Sequence, residues 1–355
     1  MPRYRFPWAS KLAVGAATAI AMVSVFVSCS SGADSASSPS TADQSTAGPT
    51  SAGPTSAGPT SAQPTSVPAG HGTASSTPSS APPSQLLGPA ALIAESLSAQ
   101  QIADRLSEAE LALRDAAIDD TTRRQAGVDQ QLLYRLLAAN PSLDPAVLAL
   151  VDNGVRETVQ RTVGARQFAQ ARSATSAEPA TVIPAWSIQA PLPADLLLQY
   201  YHDAEQQTGV PWYWLAAIHI QETRAGRVVG VSSAGAVGPM QFLPTTWAAC
   251  CIGDPLDPAQ AIVGAATYLA QSGGPEDMAA AVYQYNPSDT YVALVTAMAL
   301  NMRDAPQLYV GYWSWQVFVS TDVGSVRLPI GYAADTPMNA AEYLLDHPED
   351  AATKR

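Results

Sequence analysis

Histidine and cysteine are scarce in this chain, four and three in 355 residues, and the scarcity removes whole classes of chemistry. The histidines are too scattered to form a zinc site. His219-Ile220-Gln221-Glu222 begins like the inverted zinc-protease pattern, but Thr223 stands where its second histidine is required. Phosphate-binding glycine loops and calcium loops are missing, and Gly230-Val231-Ser232-Ser233-Ala234 lacks the final glycine of a nucleophile elbow. Neither a metal nor a cofactor is expected. Basic residues are few as well, 18 Lys and Arg against 30 Asp and Glu, for a net charge of −12. Nucleic acid is thereby excluded as a partner. Recognition must instead come from shape, stacking and hydrogen bonds, which suits uncharged sugars.

Three of the basic residues, Arg3, Arg5 and Lys11, cluster at the start, ahead of an apolar run from Leu12 to Val27. This is the pattern of an export signal over residues 1–28, and the run is short and polar for a retained membrane span. The ending Val27-Ser28-Cys29 resembles a bacterial lipobox, with Phe26 where Leu is usual. The resemblance implies lipidation of Cys29 and anchoring at the extracytoplasmic face of the membrane; an ordinary secretory signal with a chance cysteine is the alternative. Residues 29–85 are Ser, Thr, Ala, Pro and Gly with almost no charge, and Ala-Gly-Pro-Thr-Ser recurs from Ala47 through Ser61. Such a composition builds no core. As a flexible tether it spans about 40 Å.

Residues 86–178 are rich in Ala, Leu, Glu, Gln and Arg, with leucines at helical spacing, and are expected to form a helical region that packs on the domain that follows. Residues 179–333 form that expected domain and 334–355 a peripheral tail. Within 179–333, helices are expected over 194–207, from Pro244, after Asp257-Pro258, from about Pro275 to Asn286, and from Ser288 through Met302. The valines between Trp313 and Arg327 predict a short hairpin. The fold class is therefore mainly α. The adjacent Cys250 and Cys251 leave three readings open: a strained disulfide, two buried thiols, or intermolecular pairing.

The segment from Pro211 to Thr223 is the most informative of the chain. Proline at a first turn and few breakers before Gly226 predict a helix with Glu222 near its C-terminus. Leu215 and Ile218 share a helical face with Glu222. A carboxyl among apolar neighbours has a raised pKa and can hold a proton for a leaving group near neutral pH; a solvent-facing glutamate paired with Arg224 or Arg227 is the alternative. The loop Ser232 to Gly238 comes next, then Pro239-Met240-Gln241. Asp254, Asp257, Glu276 and Asp277 read as turn and cap residues, so a second catalytic carboxylate of the usual glycosidase pair is not evident.

Three ordered stretches, Gln221-Glu222-Thr223, Gly235-Ala236-Val237-Gly238-Pro239-Met240-Gln241 and Tyr285-Asn286, resemble the motifs of the Slt-type lytic transglycosylases in their exported actinobacterial branch. The resemblance covers residues 194–302 and departs from the family at Thr223, where serine is usual. It implies a lysozyme-like fold, with Glu222 as the single catalytic acid and base. It also implies substrate binding by Gln241, Tyr285 and Asn286; Ser233, Gly238 and Met240 are candidate substrate contacts with them, since glycines in this loop let its backbone approach a sugar closely. The implied substrate is peptidoglycan, cleaved without water to give 1,6-anhydromuramoyl ends. A hydrolytic muramidase and a non-catalytic glycan-binding wall lipoprotein are the competing functions.

Overall fold

The computed structural model describes residues 97–173 and 180–353. The leader 1–28, Cys29 and the tether 29–85 lie outside the described residues, which all belong to one compact unit. That unit is mostly helical. Four helices come first: α1 (Ala99–Arg114), α2 (Asp120–Ala139), the short α3 (Asp144–Leu150) and α4 (Arg156–Ser173). Ser98 and Gln101 cap α1 reciprocally, and the Asp119 carboxylate accepts the Thr121 and Thr122 amides at the start of α2. Next come α5 (Ala194–Thr208), α6 (Trp212–Thr223), α7 (Pro244–Cys250), α8 (Pro258–Gln271), α9 (Met278–Tyr285), α10 (Asp289–Asp304) and α11 (Leu308–Trp313). Asp257, Asp277 and Ser288 cap α8, α9 and α10 with their side chains. Among the described residues no helix is long and apolar enough to cross a membrane.

The hairpin lies where the valine pattern puts it. Strands β4 (Val317–Thr321) and β5 (Gly324–Leu328) pair from Val317 opposite Leu328 to Thr321 opposite Gly324. Two short pairs flank it: β1 (Val182–Ile183) with β6 (Met338–Asn339), and β2 (Ser187–Ile188) with β3 (Val228–Val229). Of the expected peripheral tail 334–355, the described residues 334–353 are instead built into the fold. Helix α12 (Ala340–Asp346) leads to β7 (Ala351–Thr353), which adds to the free edge of β5. Asp350 is buried there, accepting from Arg327 at 2.7 Å and from the Tyr343 hydroxyl at 2.7 Å. An open strand edge invites pairing, and no local pattern in three residues announces it.

One hydrophobic cluster runs from Leu97 to Ala352, so the first four helices and the later ones share a core. The backbones of α2 and α11 cross so closely that a Cβ on Gly127 would lie 2.5 Å from the Gly311 carbonyl, leaving room for glycine alone. Polar groups add fixed pairings. The Gln131 side chain donates to the Gln316 carbonyl and accepts the Gln316 amide, and Trp315 donates to Gln130. Arg161 donates to Asn301 of α10 at 2.7 Å. Helix α10 thus lies between α4 on one side and α6 on the other.

Candidate active site

Helix α6 carries the acid. Ten of its residues, from Trp214 to Thr223, are buried. The apolar stripe expected from Leu215 and Ile218 is therefore not what orients Glu222, because a helix apolar all round is enclosed all round. Orientation comes from the helix end. Arg224 and Ala225 adopt left-handed backbone conformations, φ 55° and 59°, and their amides return to the Ile220 and His219 carbonyls, closing the last turn. The Thr223 hydroxyl donates to the Pro239 carbonyl at 2.7 Å and accepts the Gly226 amide at 3.0 Å. That hydroxyl ties α6 to the segment that opposes it.

The carboxyl is not paired with an arginine. Arg224 donates to the Ile220 carbonyl and lies over the Trp315 ring; Arg227 donates to the Arg224 carbonyl and lies over Trp313. Glu222 instead accepts the Tyr291 hydroxyl at 2.6 Å on Oε1. It is 7% exposed, and burial pushes its pKa up to about 8, with the Tyr291 hydrogen bond pulling the other way. His219 is also buried. Burial and the nearby Arg227 charge push its pKa down to about 3, so the ring is neutral, hydrogen-bonded through Nδ1 to Tyr201.

Glu222 opens onto a cavity of about 180 Å³. Ser232, Ala236 and Gln241 from the loop after β3 form one wall. Phe242, Tyr268 and Tyr285 form another, their rings edge to face with centroids 5.5 to 6.3 Å apart. Leu243 and Thr246 at the start of α7 and Gln284 and Pro287 around the end of α9 complete it. The wall turns at residues 237–242, where the Val237 and Phe242 amides and carbonyls pair reciprocally and Gln241 takes φ 51°.

The sequence-derived candidates separate here. Glu222, Gln241 and Tyr285 lie around one cavity although more than sixty positions separate the first from the last. Met240 does not reach it with its side chain, which is fully buried in the core. Its carbonyl accepts the Tyr285 hydroxyl at 2.6 Å. Gly238 is required elsewhere: its φ is 76° and a Cβ would lie 2.0 Å from the Pro255 carbonyl, so it serves the packing of two loops rather than approach to a sugar. Ser233 is exposed, and Ser232 lines the cavity in its place. Asn286 is buried as the C-cap of α9, next to the lining Tyr285. Gln241 lines the cavity, and its side-chain nitrogen already donates to the Gly238 carbonyl at 2.9 Å.

Tyr291 is not announced by the sequence. Its only local signal is its position on the first turn of a helix whose cap, Ser288, accepts its amide at 3.3 Å. Of the four acids expected in turns or caps, Asp257 and Asp277 cap their helices by accepting the Gln260 and Ala280 amides and Asp254 accepts the Leu256 amide in a turn, while Glu276 is exposed ahead of α9. Among the described residues Glu222 is the sole carboxyl lining the cavity. Cys250 and Cys251, whose state the sequence left open, form a disulfide at the end of α7.

Residues 199–293 match the family model described as the transglycosylase SLT domain. Comparison with curated proteins and with solved structures returned no significant match. The matched segment runs from α5 to the first turns of α10 and contains Glu222, Tyr291 and every residue that lines the cavity. Residues 199–293 are thus similar to the transglycosylase SLT domain, and the mostly helical structure over them agrees with the lysozyme-like fold expected from the sequence.

Proposed function

We propose that the protein is a peptidoglycan lytic transglycosylase that cleaves the bond between N-acetylmuramic acid and N-acetylglucosamine with Glu222 as its single general acid and base. The observation that carries this reading is a buried carboxyl, its pKa raised to about 8, facing a cavity that offers no second carboxylate among the described residues. Protonated at neutral pH, Glu222 donates its proton to the bridging oxygen as the glycosidic bond breaks. The carboxylate so formed takes the proton of the muramoyl C6 hydroxyl, and that oxygen bonds to the anomeric carbon. The proton lost in the first step is regained in the second, and water is not consumed.

Tyr291 supports both halves. Its hydroxyl holds Glu222 in one orientation and stabilises the carboxylate that exists between the two transfers. The acetamido group of the sugar supplies the electron density at the anomeric centre that a second carboxylate provides in two-carboxylate enzymes. The Phe242, Tyr268 and Tyr285 wall gives a sugar an apolar surface, and Gln241 and Ser232 give it hydrogen-bonding groups. A hydrolytic muramidase would use the same Glu222 carboxylate to take a proton from water, so the two readings differ in whether water or the C6 hydroxyl reaches the anomeric carbon. We further infer, from the leader and the Val27-Ser28-Cys29 ending, that the protein is exported and held at the outer face of the membrane by a lipid on Cys29, with residues 29–85 as the tether to the wall.

Glu222→Gln keeps the size and the hydrogen bond from Tyr291 but has no proton to deliver. It is expected to lose cleavage of purified peptidoglycan while retaining glycan binding. Cleavage near the wild-type rate would exclude the mechanism and favour a binding role.

A further inference from the structure

The catalytic half of the chain is nearly free of usable positive charge. Lys11 and Lys354 are the only lysines, and both lie outside the described residues. Between residues 180 and 353 the arginines are Arg224, Arg227, Arg303 and Arg327, and each is committed elsewhere. Arg224 and Arg227 are buried behind α6 against tryptophan rings. Arg303 is bonded to Asp304 at 2.8 Å and Arg327 to Asp350 at 2.6 Å. Of the histidines in this half, His219 is buried and neutral, and His202 and His347 stand beside Glu205 and Glu349. Among the described residues no arginine, lysine or histidine lines the cavity. Exposed acids sit on the connections that carry its walls: Asp254 between α7 and α8, Glu276 and Asp277 before α9, and Asp289 at the start of α10.

Peptidoglycan strands differ in charge according to whether the muramoyl residues carry peptide stems. A stem brings several carboxylates; hydrolysis of the amide that joins it to the sugar leaves one lactyl carboxylate. A surface that recognises stems by charge needs cations to meet those groups. Apart from Glu222 this cavity is lined by uncharged groups, and the chain as a whole is acidic, with a net charge of −12.

Building on the transglycosylase reading, we propose that this enzyme prefers glycan strands from which the peptide stems have been removed. Its substrate is then the product of an amide-hydrolysing reaction on the same polymer. Affinity comes from the sugar rings and acetamido groups, and the stem carboxylates contribute only repulsion, which salt screens.

The test measures kcat/KM of the full chain on two preparations of one strand length, intact and stripped of stems by an amidase, at low and at physiological ionic strength. The stripped strand is expected to be cleaved faster than the intact one, with the larger ratio at low salt. A ratio of one or below at low salt overturns the proposal. Dissociation constants of Glu222→Gln for the two strands provide an independent readout, expected in the same order. If neither strand yields anhydro ends, the transglycosylase reading fails, and these dissociation constants alone decide the preference. Thr246→Arg places a cation on the cavity wall and should lower the stripped-to-intact ratio; an unchanged or higher ratio would show that charge does not set the preference.

Discussion

The hydroxyl of Tyr291 donates to Oε1 of Glu222 at 2.6 Å across a sequence separation of 69 residues. Both groups are buried, the acid at the end of α6 and the tyrosine on the first turn of α10. The bond holds the acid where the closed end of α6 presents it, and it favours the ionised form against the burial that opposes it. Removing it has effects of opposite kinds on pKa and on rate.

Tyr291→Phe is expected to raise the pKa of Glu222 further, moving the basic limb of the pH profile of kcat/KM upward from about 8. The same substitution should lower kcat roughly 10- to 100-fold, because a hydrogen bond to a charged group contributes about 1.5–3 kcal/mol and the carboxylate is formed during the reaction. Rate profiles measured between pH 5 and pH 10 separate the two effects. A slower enzyme with an unmoved limb would assign Tyr291 a role in packing only.

Glu222 should also limit stability in a pH-dependent way. Below an unfolded-state pKa near 4.5 both states hold the proton, and the acid costs nothing. Between there and a folded-state value of about 8 the unfolded chain releases a proton that the native state keeps. Stability then falls by about 1.4 kcal/mol per pH unit and levels off above the folded value. Glu222→Gln escapes this loss. Its melting temperature should match wild type near pH 4.5 and exceed it by about 5 °C or more at pH 8. Equal melting temperatures at both pH values would contradict the raised pKa.

The anchor has its own test. Mass spectrometry of the mature amino terminus is expected to find a diacylglyceryl-modified Cys29, with Cys29→Ala released or unprocessed and the cleavage activity of its folded part unchanged. An unmodified Cys29 in a protein recovered entirely from the culture fluid would refute the anchor.

The order of helices, the hairpin and the caps at Asp257 and Ser288 were legible because each depends on residues within a few positions of one another. The same holds for Glu222 near a helix end. What escaped depends on partners distant in sequence. Tyr285, expected to bind substrate, donates its hydroxyl to the Met240 carbonyl. Gly238, expected to approach a sugar, is fixed by Pro255. β7 finds its place only once β5 offers an edge. The sharing of one core by α1 to α4 and the later helices is equally nonlocal; Gln131 and Gln316 meet across 185 positions. The burial of α6 on all sides shows the limit most plainly, since an enclosed helix has no face for periodicity to reveal.

The mass of the ends produced from purified peptidoglycan tests the central claim most directly. Intramolecular capture by the C6 hydroxyl predicts muropeptides with 1,6-anhydromuramoyl ends, one water lighter than the reducing products of hydrolysis, from the wild-type chain and none from Glu222→Gln. Reducing ends at the hydrated mass, formed in a Glu222-dependent reaction, would contradict the account and make the enzyme a muramidase.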